Sequence, residues 1–432
     1  MTRKMRGATL LALGATVAML ASGCAGSGDD GGSGEDSGPQ TLTIWHNSTT
    51  GPGKEYWEEA AASFTAENPD VKFEIQSIQN EDMDGKLQTA VNSGDLPDIF
   101  MARGGQKLAD IVATGQVKDL TDVISEEAKG SMGAALSAFE VDGKNYAVPT
   151  AVLPGGIFYS KDLFEQAGIT GEPTTMAELE DAVAKLKAAD IQPIALGAKD
   201  AWPAAHWFYF FALRNCSEDT IAGLAGSTEF TDECWTKAGQ DLENFAGTEP
   251  FNKGFLTTPA QEGAGSSAGL IANHKAAMEL MGGWNVGQIA SLTPDGQPLA
   301  DLGWFPFPAV DGGQGDPTAM MGGVDGFSCS KDSPAACEDF LNFIATKAEQ
   351  EKYAEAYQTI PANQDAQGAV ADPALEPIMA AYNEAAYVST WMDTVLGQNV
   401  GNALNTAVVD MLAGKGDADS IVATMNSAAA RG

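Results

Sequence analysis

The order of strand and helix patterns over residues 40–103 is the feature that most constrains the fold of this chain. Apolar runs bounded by turn residues predict strands, and apolar residues at helical spacing predict helices. Strands are predicted at 40–48, 71–78 and 97–102, and helices at 53–69 and 83–94. This β-α-β-α-β order indicates an α/β fold with a mainly parallel sheet and helices on both faces.

The carboxyl ends of the predicted strands mark a candidate ligand site. Ligands of open α/β sheets bind beyond these ends. The three ends read WHNST (45–49), QNED (79–82) and ARGG (102–105). We therefore expect polar side chains from these three segments to line one site.

The rest of the chain alternates between extended and helical patterns. Thr175 and Glu178 have the spacing of a capping box, which predicts the start of a helix there. Pro203 opens a strongly aromatic helix, 203–215, whose residues, including Trp207, are predicted to lie in a core. About 390 residues follow residue 39, more than one core usually organises, so two domains are expected.

The N-terminus looks like the export signal of a bacterial lipoprotein. Basic residues within 3–6 precede an apolar run, 8–21, that is too short to span a membrane as a helix. Small residues then lead to Cys24, which looks like a lipobox, although the usual leucine stands one place further back, at Leu20. An ordinary cleaved signal with a chance cysteine is the alternative.

The lipoprotein interpretation implies three N-terminal features. We expect a signal peptide at 1–23, acyl chains on Cys24, and a flexible tether at 24–39. The tether is rich in glycine, serine and acidic residues, which cannot bury enough surface to fold. Such a protein would stay on the extracellular face of the cell membrane through its lipid anchor.

Four cysteines remain once Cys24 is assigned to lipid. An even number in an exported chain suggests disulfides, and the spacing favours Cys216–Cys234 and Cys329–Cys337. Three pairings remain possible from the sequence. No CxxC motif or His/Cys cluster suggests a metal site, and no motif suggests a cofactor.

The formal net charge of −35 excludes one class of partner. No basic cluster interrupts the acidity, so the chain is expected to repel nucleic acid at long range. High solubility is the simplest consequence of this charge.

Five segments spread along the chain match, in order, one family of proteins. On these segments the chain resembles the extracellular solute-binding proteins of carbohydrate ABC importers, the maltose-binding-like class. The segments are LTIWHNS (42–48), GDLPDIFMARGG (94–105), YAVPTAVLPGGIFYSKDLFEQAGI (146–169), KAAMELMGGWN (275–285) and GGVDGFSCSKDSPAACEDFLNFI (322–344).

The resemblance implies a two-lobed, periplasmic-binding-protein-like fold. Each lobe would be a mainly parallel sheet flanked by helices, and the lobes would close over a sugar. It also implies a monomer that delivers the sugar to the membrane permease of an ABC importer. Lobe one would hold 40–150 and 308–350, lobe two 151–307 and 351–432, with hinge crossings at Pro149–Leu153 and Trp304–Pro308.

Three tryptophans are candidate platforms for a sugar, whose C–H faces pack on flat aromatic rings. Trp284 follows Gly282 and Gly283, which would let a ligand approach the backbone, and many relatives carry the stacking aromatic at this position. Trp202 is predicted in a loop, and Trp391 stands in a mostly helical tail. The alternative for Trp284 is a place in the core of lobe two.

Five polar residues are candidate partners for sugar hydroxyls. His46 and Asn47 leave the first strand, and Arg103 leaves the third, where it could bind two adjacent hydroxyls. Asp200 lies near Trp202, and Asp325 stands between glycines at a predicted turn. The alternatives are turn formation for Asn47 and Asp325 and a surface ion pair for Arg103.

The predicted ligand is a neutral di- or oligosaccharide, with xylobiose-like or cellobiose-like sugars favoured by overall similarity. Aromatic candidates and a scarcity of cations near the predicted cleft argue against an acidic or phosphorylated ligand. A secreted glycoside hydrolase is the alternative function, since it needs only two suitably spaced carboxylates. A structural or adhesive lipoprotein is a third possibility. With three histidines and no recognisable catalytic motif, we predict no enzyme.

Overall fold

A computed structural model describes residues 39–227 and 229–431. The predicted signal peptide, Cys24 and the tether up to residue 38 lie outside the described residues. Within these ranges no helix combines the length and the apolar character needed to cross a membrane.

The strands agree closely with the sequence patterns. The first three coincide with the three predicted strands to within a few residues. In chain order the strands are β1 Gln40–His46, β2 Val71–Ser77, β3 Ile99–Arg103, β4 Glu140–Val141, β5 Lys144–Asn145, β6 Val148–Ser160, β7 Gln192–Ile194, β8 Ala276–Gly282, β9 Leu302–Phe305, β10 Met320–Cys329, β11 Ile360–Pro361 and β12 Val388–Thr390.

The helices cover much of the remaining chain. The predicted capping box is present: Thr175 accepts from the Glu178 amide, and the Glu178 carboxylate accepts from the Thr175 amide. The helices are α1 Gly51–Glu67, α2 Asn80–Ser93, α3 Gly105–Ala113, α4 Glu126–Ser137, α5 Lys161–Gln166, α6 Met176–Ala188, α7 Trp202–Asn215, α8 Glu218–Ala222, α9 Glu233–Gly247, α10 Ser267–Ala272, α11 Asn285–Leu292, α12 Ala336–Ala345, α13 Lys347–Tyr357, α14 Glu376–Glu384, α15 Met392–Val395, α16 Gly397–Leu412 and α17 Ala418–Ala429.

The first three strands form the predicted parallel arrangement. β1 lies between β2 and β3 and is parallel to both, with Gln40 opposite Val71 and Ile44 opposite Ile99. The sheet continues in the order β2-β1-β3-β10-β6-β8-β7. β10 runs antiparallel to both β3 and β6. The α/β fold class is confirmed.

The long strand β6 joins two halves of the sheet. Its first half, Val148–Pro154, pairs with β10 and β11, and its second half, Gly155–Ser160, pairs with β8 and β9. β7 adds in parallel to β8 at the far edge. The expected hinge segment Pro149–Leu153 therefore lies inside a continuous strand that both halves share.

The two largest apolar cores among the described residues cover the two halves. Trp57 on α1 and Phe340 on α12 are buried in the core that covers β1, and Tyr353 on α13 packs edge-on against Tyr56 of α1 at 5.2 Å between ring centroids. The predicted aromatic core helix is α7, in which Trp207 is fully buried. α13 thus belongs to the packing of the first half, although it extends beyond residue 350.

The structure contains two disulfides, Cys216–Cys234 and Cys329–Cys337. This is the pairing that the sequence spacing favoured. The first joins the end of α7 to the start of α9, and the second joins the end of β10 to the start of α12.

Local structure differs from expectation at three candidate site residues. Trp202 is the first residue of α7 rather than a loop residue, and Trp391 directly follows β12 before the short helix α15. Asp325 lies within β10, opposite Arg103, at a shift of strand register rather than at a turn. The glycines around Asp325 reflect close approach instead, since a Cβ on Gly326 would lie 2.6 Å from the Val148 carbonyl oxygen.

Candidate functional site

A cavity of about 950 Å³ opens at the carboxyl ends of the parallel strands. All three predicted strand-end segments contribute to its wall, through Asn47 after β1, Asn80 after β2 and Arg103 at the end of β3. Helices α7 and α11 also contribute residues to the wall. Its volume suits a ligand of a few sugar rings, since small-molecule sites usually span about 300–1,000 Å³.

Four aromatic rings form one cluster on the cavity wall. Trp202, His206, Trp284 and Trp391 all line the cavity, and we call them the four-ring cluster. The His206 ring stacks on Trp391 at 4.3 Å, and Trp284 lies 6.1 Å from Trp202 and 5.8 Å from Trp391, centroid to centroid. The three tryptophans singled out from the sequence therefore lie together.

Polar atoms of this cluster are not engaged by the fold. The indole nitrogens of the three tryptophans and Nδ1 of His206 are buried without a hydrogen-bond partner among the described residues. Burial lowers the pKa of His206 to about 4, so its imidazole is neutral at pH 7. The cluster thus presents mainly uncharged aromatic surface.

Glycines make room for two of these rings. A Cβ on Gly282 would overlap the benzene ring of Trp284, so the first glycine of the GGW motif accommodates the indole that follows it. The sequence interpretation, that both glycines leave room for a ligand, is therefore wrong for Gly282. Gly155 and Gly323 act similarly for Trp391, because Cβ atoms there would lie 2.5 and 2.6 Å from its ring.

Gly282→Ala is expected to weaken ligand binding in this cavity because the new methyl group would displace the Trp284 ring. The expected loss is about tenfold in Kd, close to 1.4 kcal/mol, measured by calorimetric titration. Gly283→Ala is the matched control, since a Cβ there meets its nearest atom at 3.5 Å, an ordinary contact. Equal affinities for the two variants would contradict this role of Gly282.

Asn47 and Arg103 meet on a shared partner. Asn47 Nδ2 and Arg103 Nη2 both donate to Asn80 Oδ1, at 3.3 and 2.5 Å. Asn80 lies at the start of α2, in the second of the predicted strand ends. Arg103 is thus held at the cavity wall by side-chain partners rather than by a pair at the outer surface.

Arg103 belongs to a charged network of four residues, Asp84, Arg103, Lys107 and Asp393. Asp84 bridges two cations, with Oδ1 3.4 Å from Arg103 Nη1 and Oδ2 3.0 Å from Lys107 Nζ. Lys107 Nζ also lies 3.3 Å from Asp393 Oδ2, on α15. The network ties α2, β3 and α3 to the segment that carries Trp391.

Charge pairing keeps this network ionised. Burial acts to raise the pKa of Asp84, but Arg103 and Lys107 outweigh it and lower that pKa. Burial likewise acts to lower the pKa of Lys107, but Asp393 and Asp84 raise it. The pKa of Arg103 is raised in the same way, against burial, by neighbouring carboxylates. Asp84, Arg103 and Lys107 therefore carry charge at neutral pH.

The two candidate aspartates also line the cavity. Asp325 is half-buried beside Arg103, and burial raises the pKa of its carboxyl to about 6, although Arg103 acts to lower it. Asp200 is held in place, because its Oδ2 accepts a hydrogen bond from the Ala260 amide at 2.7 Å. Both carboxylates lie on the cavity wall, Asp325 on β10 and Asp200 two residues before α7.

His46 is the one candidate that the structure does not place on the cavity wall. Its side chain is fully buried behind the end of β1, where Nδ1 accepts from the Ser48 amide at 3.2 Å and the ring stacks on Trp57. Burial, followed by the charge of Lys54, lowers its pKa to about 4. His46 therefore supports the loop that carries Asn47.

Several cavity residues were not singled out from the sequence. His206 was assigned to the core with its helix, and Tyr357, at the end of α13, gave no signal. The Tyr357 hydroxyl accepts a hydrogen bond from Trp57 Nε1 at 2.6 Å, and its ring stacks on Tyr353 at 4.2 Å. Lys107 and Asp393 were missed because they are 286 positions apart and meet only in the folded chain.

One group of potential metal ligands lies outside the cavity. Asp162, His274 and Asp301 bring ligand atoms within 4.8 Å of one another, and His274 Nε2 is 2.9 Å from Asp301 Oδ1. Asp301 Oδ2 also accepts from the Ser160 hydroxyl and from the Asp162 amide. These bonds give Asp301 a structural role at the start of α5, and the predicted lack of a metal site stays a prediction.

The sequence of this chain is similar to those of known proteins. A model of the family of bacterial extracellular solute-binding proteins matches residues 47–351. The diacetylchitobiose binding protein DasA of Streptomyces coelicolor is 24% identical over 411 residues, which cover 92% of each chain.

Two solved structures have the same architecture. A chitin oligosaccharide binding protein superposes with a TM-score of 0.82, at 25% identity, over 90% of this chain and 98% of that chain. A structure from work on xylan utilization by the thermophilic bacterium Caldanaerobius polysaccharolyticus gives a TM-score of 0.83, at 24% identity, over 90% of this chain and 99% of that chain.

Proposed function

This chain belongs to the family of bacterial extracellular solute-binding proteins, and we propose that it captures a neutral di- or oligosaccharide and delivers it to an ABC permease. The observation that carries this proposal is the four-ring cluster beside polar side chains in one large cavity. Aromatic faces bind the C–H surfaces of sugar rings, while convergent donors and acceptors bind the hydroxyls.

The proposed ligand-binding residues are Trp284, Trp202 and Trp391 as platforms, with Asn47, Arg103, Asp200 and Asp325 as polar partners. His206 and Tyr357 join this set because both line the same cavity. Hydroxyls taken out of water need such partners, since an unpaired buried polar group costs about 1–3 kcal/mol. His46 acts indirectly, by supporting the loop of Asn47.

Binding would proceed by closure of two lobes. The ligand stabilises the closed form because it contacts both lobes and binds that form better than the open one. Lobe one would comprise 40–150 and 308–350 with the rest of α13, because α13 packs on α1; lobe two would comprise 151–307 and the remaining C-terminal segment. The hinges would be Pro149–Leu153 and Trp304–Pro308, with a third crossing after Tyr357.

The ligand is proposed to be xylobiose-like or cellobiose-like. Support comes from the size of the cavity and from relatives named for small saccharides, one for diacetylchitobiose and one for melibiose, raffinose and stachyose. The protein would act as a monomer, anchored through lipid on Cys24 after removal of residues 1–23. The tether, 24–39, would then hold the folded part near the permease.

Calorimetric titration against xylobiose, cellobiose, maltose and N,N′-diacetylchitobiose tests this function. We expect saturable binding of at least one neutral disaccharide with a stoichiometry near one and no chemical change in the ligand. Failure of every sugar to bind would contradict the proposal. Release of shorter sugars during incubation would instead favour a glycoside hydrolase, and chromatography of the incubated mixture detects it.

A further inference from the structure

The cavity holds more cations than the sequence suggested. Among the described residues, Arg103, Lys107 and Lys199 line it. Cations at a binding site would ordinarily attract anionic ligands such as uronic acids. The sequence interpretation, which excluded acidic sugars because cations are scarce near the cleft, therefore needs another physical basis.

Carboxylates outnumber these cations on the wall. The described lining residues with carboxylate side chains are Glu81, Asp84, Asp200, Glu262, Asp325 and Asp393. Two of them, Asp84 and Asp393, contact the cations Arg103 and Lys107 in the charged network. The network contains two cations and two anions, so its net charge is zero.

Solvent is largely excluded from the network. The exposed fraction of the side chain is 10% for Lys107 and 16% for Asp393. For Arg103 and Asp84 it is 21% and 23%. Charges in such surroundings are weakly screened, so the net charge of the four groups strongly affects the energy of a charged ligand in the cavity.

An anionic sugar would upset this balance. Arg103 already donates to Asn80 and pairs with Asp84, and Lys107 contacts two carboxylates. A ligand carboxylate near them would have to displace Asp84 or Asp393 as a partner. It would also approach Asp325, another carboxylate on the same wall.

We propose that Asp84 and Asp393 are specificity-determining residues that reject anionic sugars by keeping Arg103 and Lys107 paired. Loss of Asp84 would remove the carboxylate that Arg103 pairs with, and loss of Asp393 would leave Arg103 and Lys107 to share Asp84 alone. Either loss gives the network a net positive charge that a sugar carboxylate could compensate. This inference rests on the proposed sugar-binding function. It assigns the selectivity for neutral over anionic sugars to two residues that compensate the charges of Arg103 and Lys107.

The test uses ligand pairs that differ only at one carbon. Cellobiose and maltose are each compared with the disaccharide whose non-reducing C6 is a carboxylate, by calorimetry at pH 7 and low ionic strength. The wild type is expected to bind the neutral disaccharide of a pair at least tenfold more tightly than the acidic one. Asp84→Asn and Asp393→Asn are expected to reduce this preference about tenfold or more.

Two further variants distinguish the release of a paired cation from the mere loss of a negative charge. Glu81→Gln removes one negative charge from the same cavity without releasing a cation, and is expected to change the preference far less. Lys107→Met combined with Asp393→Asn removes the released cation as well, and is expected to restore the wild-type preference. Salt at about 0.5 M should diminish the relative affinity for the acidic sugar that Asp393→Asn gains, because salt screens the attraction between the cation and the sugar carboxylate.

The outcomes separate the two proposals. If the wild type binds no sugar, the proposed function fails and this inference fails with it. If neutral sugars bind but neither aspartate variant gains relative affinity for the acidic sugar, the inference alone is overturned. An equally large gain in relative affinity for the acidic sugar in Glu81→Gln also overturns it. So does a gain that persists when Lys107→Met is combined with Asp393→Asn. Circular dichroism and thermal melting confirm that each variant compared is folded.

Discussion

Replacement of Trp284 by alanine is expected to weaken sugar binding by roughly 10- to 100-fold. The indole is half-buried and is one of four rings that meet at the cavity wall. Removing its surface from contact with a sugar forfeits about 1.5–3 kcal/mol, and each 1.4 kcal/mol corresponds to a factor of ten in Kd. Calorimetric titration against the sugar that binds the wild type measures this loss.

Trp207→Ala is the matched control for this prediction. Trp207 is fully buried in the core around α7 and does not line the cavity, so its removal is expected to lower the free energy of unfolding by about 3–5 kcal/mol. The folded fraction of that variant should keep the wild-type affinity. If Trp284→Ala instead lowers the melting temperature as much as Trp207→Ala does and keeps its affinity, Trp284 is a core residue.

The second large effect concerns Glu279, a buried carboxyl on β8. Its side chain is 1% exposed, and its Oε2 accepts a hydrogen bond from Asn285 Nδ2 at 2.8 Å. Asn285 opens α11 directly after Trp284. Burial raises the pKa of Glu279 to about 7, against the opposing effect of hydrogen bonds from Ser267 and Asn285.

The sign of the pH dependence follows from proton binding. Between the ordinary pKa of 4.5 and about 7, the folded protein binds more protons at Glu279 than the unfolded chain does. The contribution of Glu279 to stability is therefore fully present below about pH 4.5 and is lost as the pH rises through about 7. A difference of this size corresponds to about 3 kcal/mol in the free energy of unfolding.

Glu279→Gln is expected to be more stable than the wild type above pH 7, with the advantage shrinking as the pH falls towards 4.5. Urea unfolding of both proteins between pH 4.5 and 8.5 measures the difference. Buried groups such as His206, whose pKa is lowered to about 4, contribute equally to both proteins and cancel. Glu180→Gln, on an exposed face of α6, controls for the loss of a carboxylate. A difference that does not vary with pH would contradict the assignment.

Much of the site could be anticipated because local patterns place strand ends. The alternation and apolar runs that predict β1, β2 and β3 also locate Asn47, Asn80 and Arg103, and parallel pairing brings those ends together. The GGW motif together with the family resemblance predicted Trp284 as a ligand-binding residue, and Trp284 does line the cavity. The role predicted for the first glycine of the motif was wrong. Only the folded chain shows that Gly282 accommodates the indole rather than a ligand.

Other features depend on contacts between distant parts of the chain. Asp325 was predicted at a turn because glycines surround it, whereas it lies in a strand that pairs with β3 and β6. His206 was assigned to the core because its helix is aromatic on every side, and only the position of Trp391 shows that this ring reaches the cavity. Local spacing contains no information on which distant segment packs against a given face.

Periodicity and spacing were enough to establish the α/β class, the first sheet strands, the preferred disulfide pairing and the strand ends that line the cavity. These signals act over a few residues, so they can be read along the chain. Long-range packing brought Trp202, His206, Trp284 and Trp391 into one cluster and set Asp84 and Asp393 against Arg103 and Lys107. The physical reason is that ring stacking and charge pairing act over a few ångströms in space, between residues that the chain separates by up to hundreds of positions.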